Sequence, residues 1–187
     1  MASTTRRPPA SSSRPRRNRS RGWLAAALLV LPVAISGCGY TLSSVIPGYI
    51  KTIAIPVFAN STVEFGIAED VTSAIQNAFL ANGRLTTAGE KQADSVLRGT
   101  VTVYRNQVFG FTKQERATQY EIVLTVRVAY RDLVKNRELW KEDALSVRTT
   151  YNVVTLGAEP ARTETDARAD TVKKLADQIV SRTVQGW

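Results

Sequence analysis

The sequence predicts an α/β fold of the α+β type: a two-layer sandwich in which two helices pack on one face of a four-stranded mixed sheet. Two segments carry apolar residues at helical spacing, and a segment of about 12 residues alternates apolar and mixed positions with a period of two. The predicted elements follow the order β-α-β-β-β-α. Each helical stripe needs an apolar surface, and a sheet with one apolar face supplies it.

The first predicted strand lies within residues 50–58 and is centred on Ile53-Ala54-Ile55. Pro56 cannot donate to a strand ladder, so we expect the strand to end there or to lie at an edge. A helix should follow, because apolar residues recur at spacings of three and four at Ile67, Val71, Ala74, Ile75, Ala78 and Phe79. We expect residues 60–62 (Asn-Ser-Thr) to cap its start and Asn82-Gly83 to end it.

Three further strands are predicted before the second helix. In the first of them, Val101 and Val103 should face one side, and Thr100, Thr102 and Tyr104 the other. The second, residues 120–131, has the apolar face Tyr120, Ile122, Leu124, Val126, Val128 and Tyr130. The third spans about residues 139–150, with Leu145, Val147 and Thr149 on a common face. These strands should form an antiparallel meander, whereas the β-α-β unit before them can join parallel strands.

The second helix should open at residues 157–160, with Pro160 in its first turn. Its apolar stripe is Val172, Leu175, Ala176, Ile179 and Val180. Short spacing between the elements predicts one domain over residues 50–187.

The first 37 residues have the pattern of a lipoprotein signal peptide. Seven arginines without an acidic residue precede an apolar stretch of about 13 residues, too short to span a bilayer. The stretch ends in Ile35-Ser36-Gly37-Cys38, which resembles the bacterial lipobox. The pattern predicts acylation of the Cys38 thiol, cleavage before it, and a lipid-anchored tether over residues 38–49 with a turn at Pro47-Gly48. The alternative is a free buried cysteine in a membrane anchor.

Composition excludes several function classes for the mature chain. The net charge of +9 falls to +2 without the leader, which disfavours a nucleic-acid binder. The chain has no histidine, the usual general base at neutral pH and the commonest metal ligand. We therefore expect no enzyme activity, no catalytic residue and no metal site. We also expect no cofactor beyond a covalent diacylglycerol and N-acyl lipid on Cys38.

Several stretches together resemble the lipopolysaccharide-assembly lipoprotein family (LptE-like). They are residues 37–42 (Gly-Cys-Gly-Tyr-Thr-Leu), 53–60 (Ile-Ala-Ile-Pro-Val-Phe-Ala-Asn), 93–99 (Ala-Asp-Ser-Val-Leu-Arg-Gly), 119–126 (Gln-Tyr-Glu-Ile-Val-Leu-Thr-Val), Leu139-Trp140 and Tyr151. The resemblance implies a lipoprotein on the periplasmic side of the outer membrane. Such a protein partners a large β-barrel protein as plug and assembly factor, and it contacts lipopolysaccharide. Gly39, rather than an aspartate, follows the cysteine, which by the family's rules favours sorting to the outer membrane.

The segment between the first two long strands is the candidate contact site. Phe109 and Phe111 supply apolar tips, and Lys113 and Arg116 supply cations, which suits a lipid carrying phosphates and acyl chains or the wall of a barrel. Alternatively, the aromatic rings fold back onto the core and the charges are solvated. Arg127 and Arg131, on the polar side of their strand, are weaker candidates.

A different envelope function is also compatible with these patterns. An accessory lipoprotein of another export system, such as an ABC-transporter auxiliary component or a secretion-pore assembly factor, would share the lipobox and a mixed α/β domain. A lipid-tethered periplasmic hydrolase is disfavoured by the lack of histidine.

Overall fold

A computed structural model of the chain describes residues 46–185. Six strands and two helices follow one another along them: β1 Thr52–Ala54, β2 Ala59–Asn60, α1 Ile67–Asn82, β3 Thr86–Thr87, β4 Ser95–Phe111, β5 Ala117–Asp132, β6 Arg137–Asn152 and α2 Glu164–Gln185. The α+β class and the two helices are confirmed. The predicted four strands correspond to β1, β4, β5 and β6, whereas β2 and β3, with two residues each, are too short to show a period in the sequence.

The sheet is mixed and open. Its strands lie in the order β3-β1-β4-β5-β6, and β2 pairs with β4 beyond the end of β1. The pairs among β1, β2, β3 and β4 are parallel, and β4, β5 and β6 form the predicted antiparallel meander. The three long strands extend past the short ones, so the far half of the sheet is a three-stranded ribbon.

The core lies between the helices and one face of the sheet. Both helices bury the apolar stripes that the sequence predicts, and the apolar face of β5 is buried beneath them. The innermost side chains include Ile67, Val71, Ile75, Phe79, Leu97, Val101, Leu124, Val126, Leu175 and Ile179, all fully buried. Burial of each stabilises the fold by about 1.5–3 kcal/mol relative to an exposed side chain.

The start of α1 differs from the prediction. Gly66, in a left-handed conformation with φ 75°, occupies the N-cap position, and no side chain caps the helix. Asn60 instead organises its own loop, because its Oδ1 accepts the Thr62 backbone N–H at 2.8 Å. The predicted end is confirmed: Gly83 is left-handed, and its N–H donates to the Phe79 carbonyl at 3.0 Å.

The start of α2 also differs, because the helix begins at Glu164 rather than at residues 157–160. Thr163 and Asp166 cap it reciprocally: the Thr163 Oγ1 accepts the Asp166 N–H at 3.2 Å, and the Asp166 carboxylate accepts the Thr163 N–H at 3.3 Å. Pro160 instead directly follows a turn closed by Leu156 and Glu159, whose backbones pair at 3.0 Å.

A β-bulge in β4 overturns the predicted alternation there. Val101 pairs with Val126 and Val103 with Thr125, so one extra residue intervenes on β4. Beyond the bulge, Tyr104 packs on the helix-covered core, and Val103 lies opposite Thr125 on the other face. The prediction that Val101 and Val103 share a face is therefore wrong. In β6, by contrast, the predicted shared face is confirmed, since Leu145 and Thr149 are buried and Val147 packs against the core.

Candidate functional site

Cys38, the predicted lipidation site, lies outside the described residues. The described chain enters through the predicted turn, in which the Ile50 N–H donates to the Pro47 carbonyl at 2.9 Å. Acylation at Cys38 therefore stays a prediction from the sequence.

The entering segment is fastened at the end of the sheet where β4 begins and β5 ends. The Tyr49 hydroxyl donates a hydrogen bond to the Asp132 carboxylate, and the Lys135 ammonium lies 4.5 Å from the centroid of the Tyr49 ring. The Asp94 carboxylate accepts backbone N–H bonds from Lys51 at 2.9 Å and Thr52 at 3.0 Å. We call this the entry end of the sheet.

The pKa values of the two carboxyls at the entry end reflect these bonds. The Lys51 N–H, the Thr52 hydroxyl and the Thr52 N–H hold the pKa of Asp94 below its ordinary value. Burial raises the pKa of Asp132, but hydrogen bonds from Tyr49 and from the Lys135 and Val134 backbones outweigh it, and the net shift is downward. Both carboxylates are thus stabilised in their charged form where the tether joins the domain.

The four predicted contact residues lie together at the opposite end of the sheet, which we call the far end. Residues 108–117, here the hairpin tip, comprise the end of β4, the turn at 112–116 and the first residue of β5. Its turn is closed by the Thr112 N–H, which donates to the Arg116 carbonyl at 2.8 Å, and Glu115 adopts a positive φ of 59°. With 17 residues at about 3.3 Å each, β4 carries the tip roughly 50 Å from the entry end.

The tip exposes apolar and cationic side chains side by side. Phe109 and Phe111 are exposed at 58% and 64%, so their rings do not fold back onto the core. Lys113 and Arg116 are exposed as well. Glu115 is the one acidic residue of the tip, which therefore carries a net positive charge.

Sequence reasoning missed a second contributor to the far end, the 153–162 loop between β6 and α2. Val153, Val154 and Leu156 of this loop are exposed apolar residues. The Val153 N–H donates to the Thr118 carbonyl at 3.0 Å, which places the loop beside the base of the hairpin tip. The sequence does carry a signal for this loop, because Val153, Val154 and Leu156 form an apolar run directly after a predicted strand. The predicted helix start at residues 157–160 left only a short connection there, so the run was not interpreted as an exposed loop.

A separate exposed loop, also missed, comprises residues 61–66 between β2 and α1 and lies beside the middle of β4, where the Ser61 N–H donates to the Val101 carbonyl. Val63 and Phe65 are almost fully exposed there, although the loop is tightly hydrogen-bonded. Arg168 of α2 holds it from the side: its guanidinium pairs with Glu64 and Asp70 and donates to the Phe65 carbonyl at 3.2 Å. Tyr104, 5.4 Å from this guanidinium, completes the cluster.

Tyr104 is neutral at physiological pH. Burial and the negative charge of Glu164 raise the pKa of Tyr104 to about 12, and its hydroxyl lies 3.3 Å from the Glu164 carboxylate. The cluster around Arg168 is therefore a structural clamp between α1, α2 and the sheet.

The weaker candidates, Arg127 and Arg131, are exposed and lie away from the far end. Arg127 pairs with Asp143 at 3.4 Å, and Arg131 donates to the Asn136 amide oxygen at 2.7 Å. Both cations have local partners and are not gathered with Lys113 and Arg116.

Residues 46–185 offer neither a metal site nor a membrane-spanning helix. No group of three or more acidic or cysteine side chains is placed to hold a metal ion there. Over the same residues, no helix is long and apolar enough to cross a membrane.

A mixed sheet with two helices on one face defines the protein as an α+β domain, and its far end exposes aromatic and cationic side chains. The family model described as "LptE: Lipopolysaccharide-assembly" matches residues 50–183. The chain therefore belongs to the LptE family of lipopolysaccharide-assembly lipoproteins, and the resemblance noted in its sequence is confirmed. The LptE family is a family of non-enzymatic lipoproteins, and membership supports a role of the lipopolysaccharide-assembly type for this chain.

Solved structures are similar to this chain at low sequence identity, and the one with a TM-score above 0.5 shows the same fold. A protein from Xanthomonas campestris is 10% identical, with 74% of this chain and 88% of that chain covered and a TM-score of 0.52. A minor lipoprotein from Acinetobacter baumannii is 20% identical, with 73% and 92% covered and a TM-score of 0.48. A lipoprotein from Neisseria meningitidis is 14% identical, with 70% and 99% covered and a TM-score of 0.41. No curated protein matches the chain.

Proposed function

We propose that the protein is an outer-membrane lipoprotein, anchored through acyl chains on Cys38, that partners a large β-barrel protein in lipopolysaccharide assembly. It acts as plug and assembly factor for the barrel and binds lipopolysaccharide through the hairpin tip. The observation that carries the proposal is the family match over residues 50–183 of a chain in which residues 35–38 resemble a lipobox.

The chemistry of the hairpin tip suits this ligand. Lipopolysaccharide combines phosphate groups with acyl chains, and the tip combines Lys113 and Arg116 with Phe109 and Phe111. Arginine binds phosphate oxygens bidentately, and an exposed ring loses water on contact with an acyl chain. The tip lies at the end of the sheet opposite the tether, so one end joins the membrane anchor while the other engages the ligand.

Two acyl chains or more are needed for a stable anchor. A single chain binds a bilayer only marginally, at about 0.8 kcal/mol per buried methylene. Anchoring also raises the effective concentration of the domain near a barrel in the same membrane. Mass spectrometry of the native protein should find an acylated Cys38 as its first residue, and Cys38→Ser should release the protein from the membrane.

Lipid binding is tested by charge reversal. The double variant Lys113→Glu/Arg116→Glu should weaken binding of purified lipopolysaccharide at least tenfold, since two phosphate contacts become repulsive. The matched control Arg84→Glu/Lys91→Glu makes the same charge change at exposed positions near the entry end. Equal binding by both double variants and the unaltered protein would exclude the tip as the lipid site.

The partner is tested by purifying the native complex from membranes. A large outer-membrane β-barrel protein should co-purify in a fixed ratio. A transporter or a secretion pore in its place would favour the alternative, an accessory lipoprotein of another export system.

A further inference from the structure

The 61–66 loop presents two apolar side chains to solvent in a way that folding does not require. Val63 and Phe65 have relative exposures of 105% and 95%, the highest of the large exposed apolar residues in the described chain. Neither side chain contributes to the core, so the fold gains nothing from their apolar character. We call these two residues the apolar prong.

The prong stands on a rigid base. Asn60 bonds both the Thr62 backbone and the Glu64 carbonyl, each at 2.8 Å, and the Ser61 N–H donates to the Val101 carbonyl at 2.9 Å. The Arg168 guanidinium also donates a hydrogen bond to the Phe65 carbonyl at 3.2 Å. A loop fixed in this way loses little conformational entropy on binding, which favours affinity.

The charges around the prong select the kind of partner. Five acidic residues lie in the loop and in the first turns of α1 and α2, namely Glu64, Glu69, Asp70, Glu164 and Asp166. The cations beside them in the described chain are Arg168 and Arg162, so the net charge is negative. Phosphate-bearing lipid surfaces are negative and would be repelled, whereas a protein surface lined by lysine or arginine would be attracted. The hairpin tip has the opposite sign, so the two surfaces suit different ligands.

A groove next to the prong extends this surface. It has a volume of about 560 Å³ and runs between α1 and α2. Its lining includes Asp70 and Arg168, which also clamp the loop, together with the small side chains Ser73, Ala74 and Ala169. A partner side chain can therefore enter beside the prong without displacing core residues.

We propose that Val63 and Phe65 dock into an apolar pocket, bordered by cationic side chains, on a protein partner. The inference deepens the proposed function and rests on it, because the partner is the β-barrel protein. The prong contacts the protein, and the hairpin tip contacts the lipid.

Photo-crosslinking in the native cells tests the proposal. Benzoylphenylalanine is placed at position 65, with position 111 in the hairpin tip and position 80 on α1 as comparisons. Leu80 is 73% exposed and remote from the loop, so it serves as the matched control. We expect position 65, but not position 80, to crosslink to an outer-membrane β-barrel protein identified by mass spectrometry.

Other crosslinking results would overturn either the inference about the prong or the proposed function. Adducts at position 65 with lipid alone, with a second copy of this chain, or with nothing would overturn the proposal. If position 111 crosslinks to the barrel and position 65 does not, the inference that the prong docks on the barrel is wrong and the proposed function stands. If the barrel also fails to co-purify with the unaltered protein, the proposed function fails as well.

Binding measurements supply a second test. With the co-purified barrel in detergent, Phe65→Ser should weaken binding at least tenfold, as expected of a central apolar anchor, and Leu80→Ser should leave it unchanged. Glu69→Lys should weaken binding at low salt, because it reverses an exposed acidic charge near the prong. Binding by Phe65→Ser equal to that by Leu80→Ser would refute the inference.

Discussion

Replacement of Arg168 by alanine probes the clamp that holds the 61–66 loop. The side chain is 20% exposed and joins four groups: the Glu64 and Asp70 carboxylates, the Phe65 carbonyl and the Tyr104 ring. Burial alone would lower the pKa of Arg168, but the hydrogen bond and charge of Asp70 outweigh it and the pKa is raised. The guanidinium is therefore charged at every pH at which the fold is stable.

The expected loss of stability follows from these contacts. Partly exposed ion pairs contribute about 0.2–1 kcal/mol each, and a cation over an aromatic ring about 0.5–1 kcal/mol. The hydrogen bond to the Phe65 carbonyl contributes about 1 kcal/mol. Arg168→Ala should therefore lower the free energy of unfolding by about 2–4 kcal/mol and the Tm by roughly 5–15 °C.

The assay is urea unfolding of the lipid-free mature chain carrying Cys38→Ser. Arg162→Ala is the matched control, because Arg162 makes one ion pair, at 2.7 Å with the exposed carboxylate of Asp170. The control should lose at most about 1 kcal/mol. Hydrogen exchange should also accelerate in residues 61–66 of Arg168→Ala alone. Equal losses in the two variants, with unchanged exchange in the loop, would refute the clamp.

Three further predictions concern the fold. Gly99→Ala should cost at least about 2 kcal/mol, because its Cβ would lie 2.1 Å from the Phe58 ring; an unchanged Tm would contradict this packing. Thr163→Ala should cost about 1 kcal/mol by uncapping α2, as a lower urea midpoint at constant slope would show. Asp94 and Asp132 have lowered pKa values, so their stabilisation is complete above the unfolded-state pKa of about 3.9 and is lost as the pH falls through the folded-state values. Acid titration of stability should show this loss, and Asp94→Asn should flatten it; a slope equal to that of the unaltered protein would count against the entry-end bonds.

Local sequence was sufficient for the parts of the structure that repeat regularly. Ile67, Val71, Ile75 and Phe79 recur at the helical period, and the alternation over residues 120–131 matches β5. Burial of such stripes has one economical solution, helices on one face of a sheet, so the fold class followed from the pattern. The left-handed stop at Gly83 was also predictable, because glycine adopts that conformation without strain.

Long-range contacts decided the parts that the sequence did not predict. The bulge that turns Tyr104 toward the core depends on the register between β4 and β5, which no local pattern encodes. The candidate site shows the same division. Phe109, Phe111, Lys113 and Arg116 lie in one short segment and were found together.

What the sequence by itself determined is the α+β class and the hairpin tip, since each depends on residues close together in the chain. The lipobox-like residues 35–38 are read from the sequence in the same way, and acylation there stays a prediction. Only the tertiary structure decided that Val63 and Phe65 remain exposed. Their loop is held by Arg168, about a hundred residues further along the chain. Exposure is a property of the packed molecule, because the same apolar side chains would have been buried had the loop closed over α1.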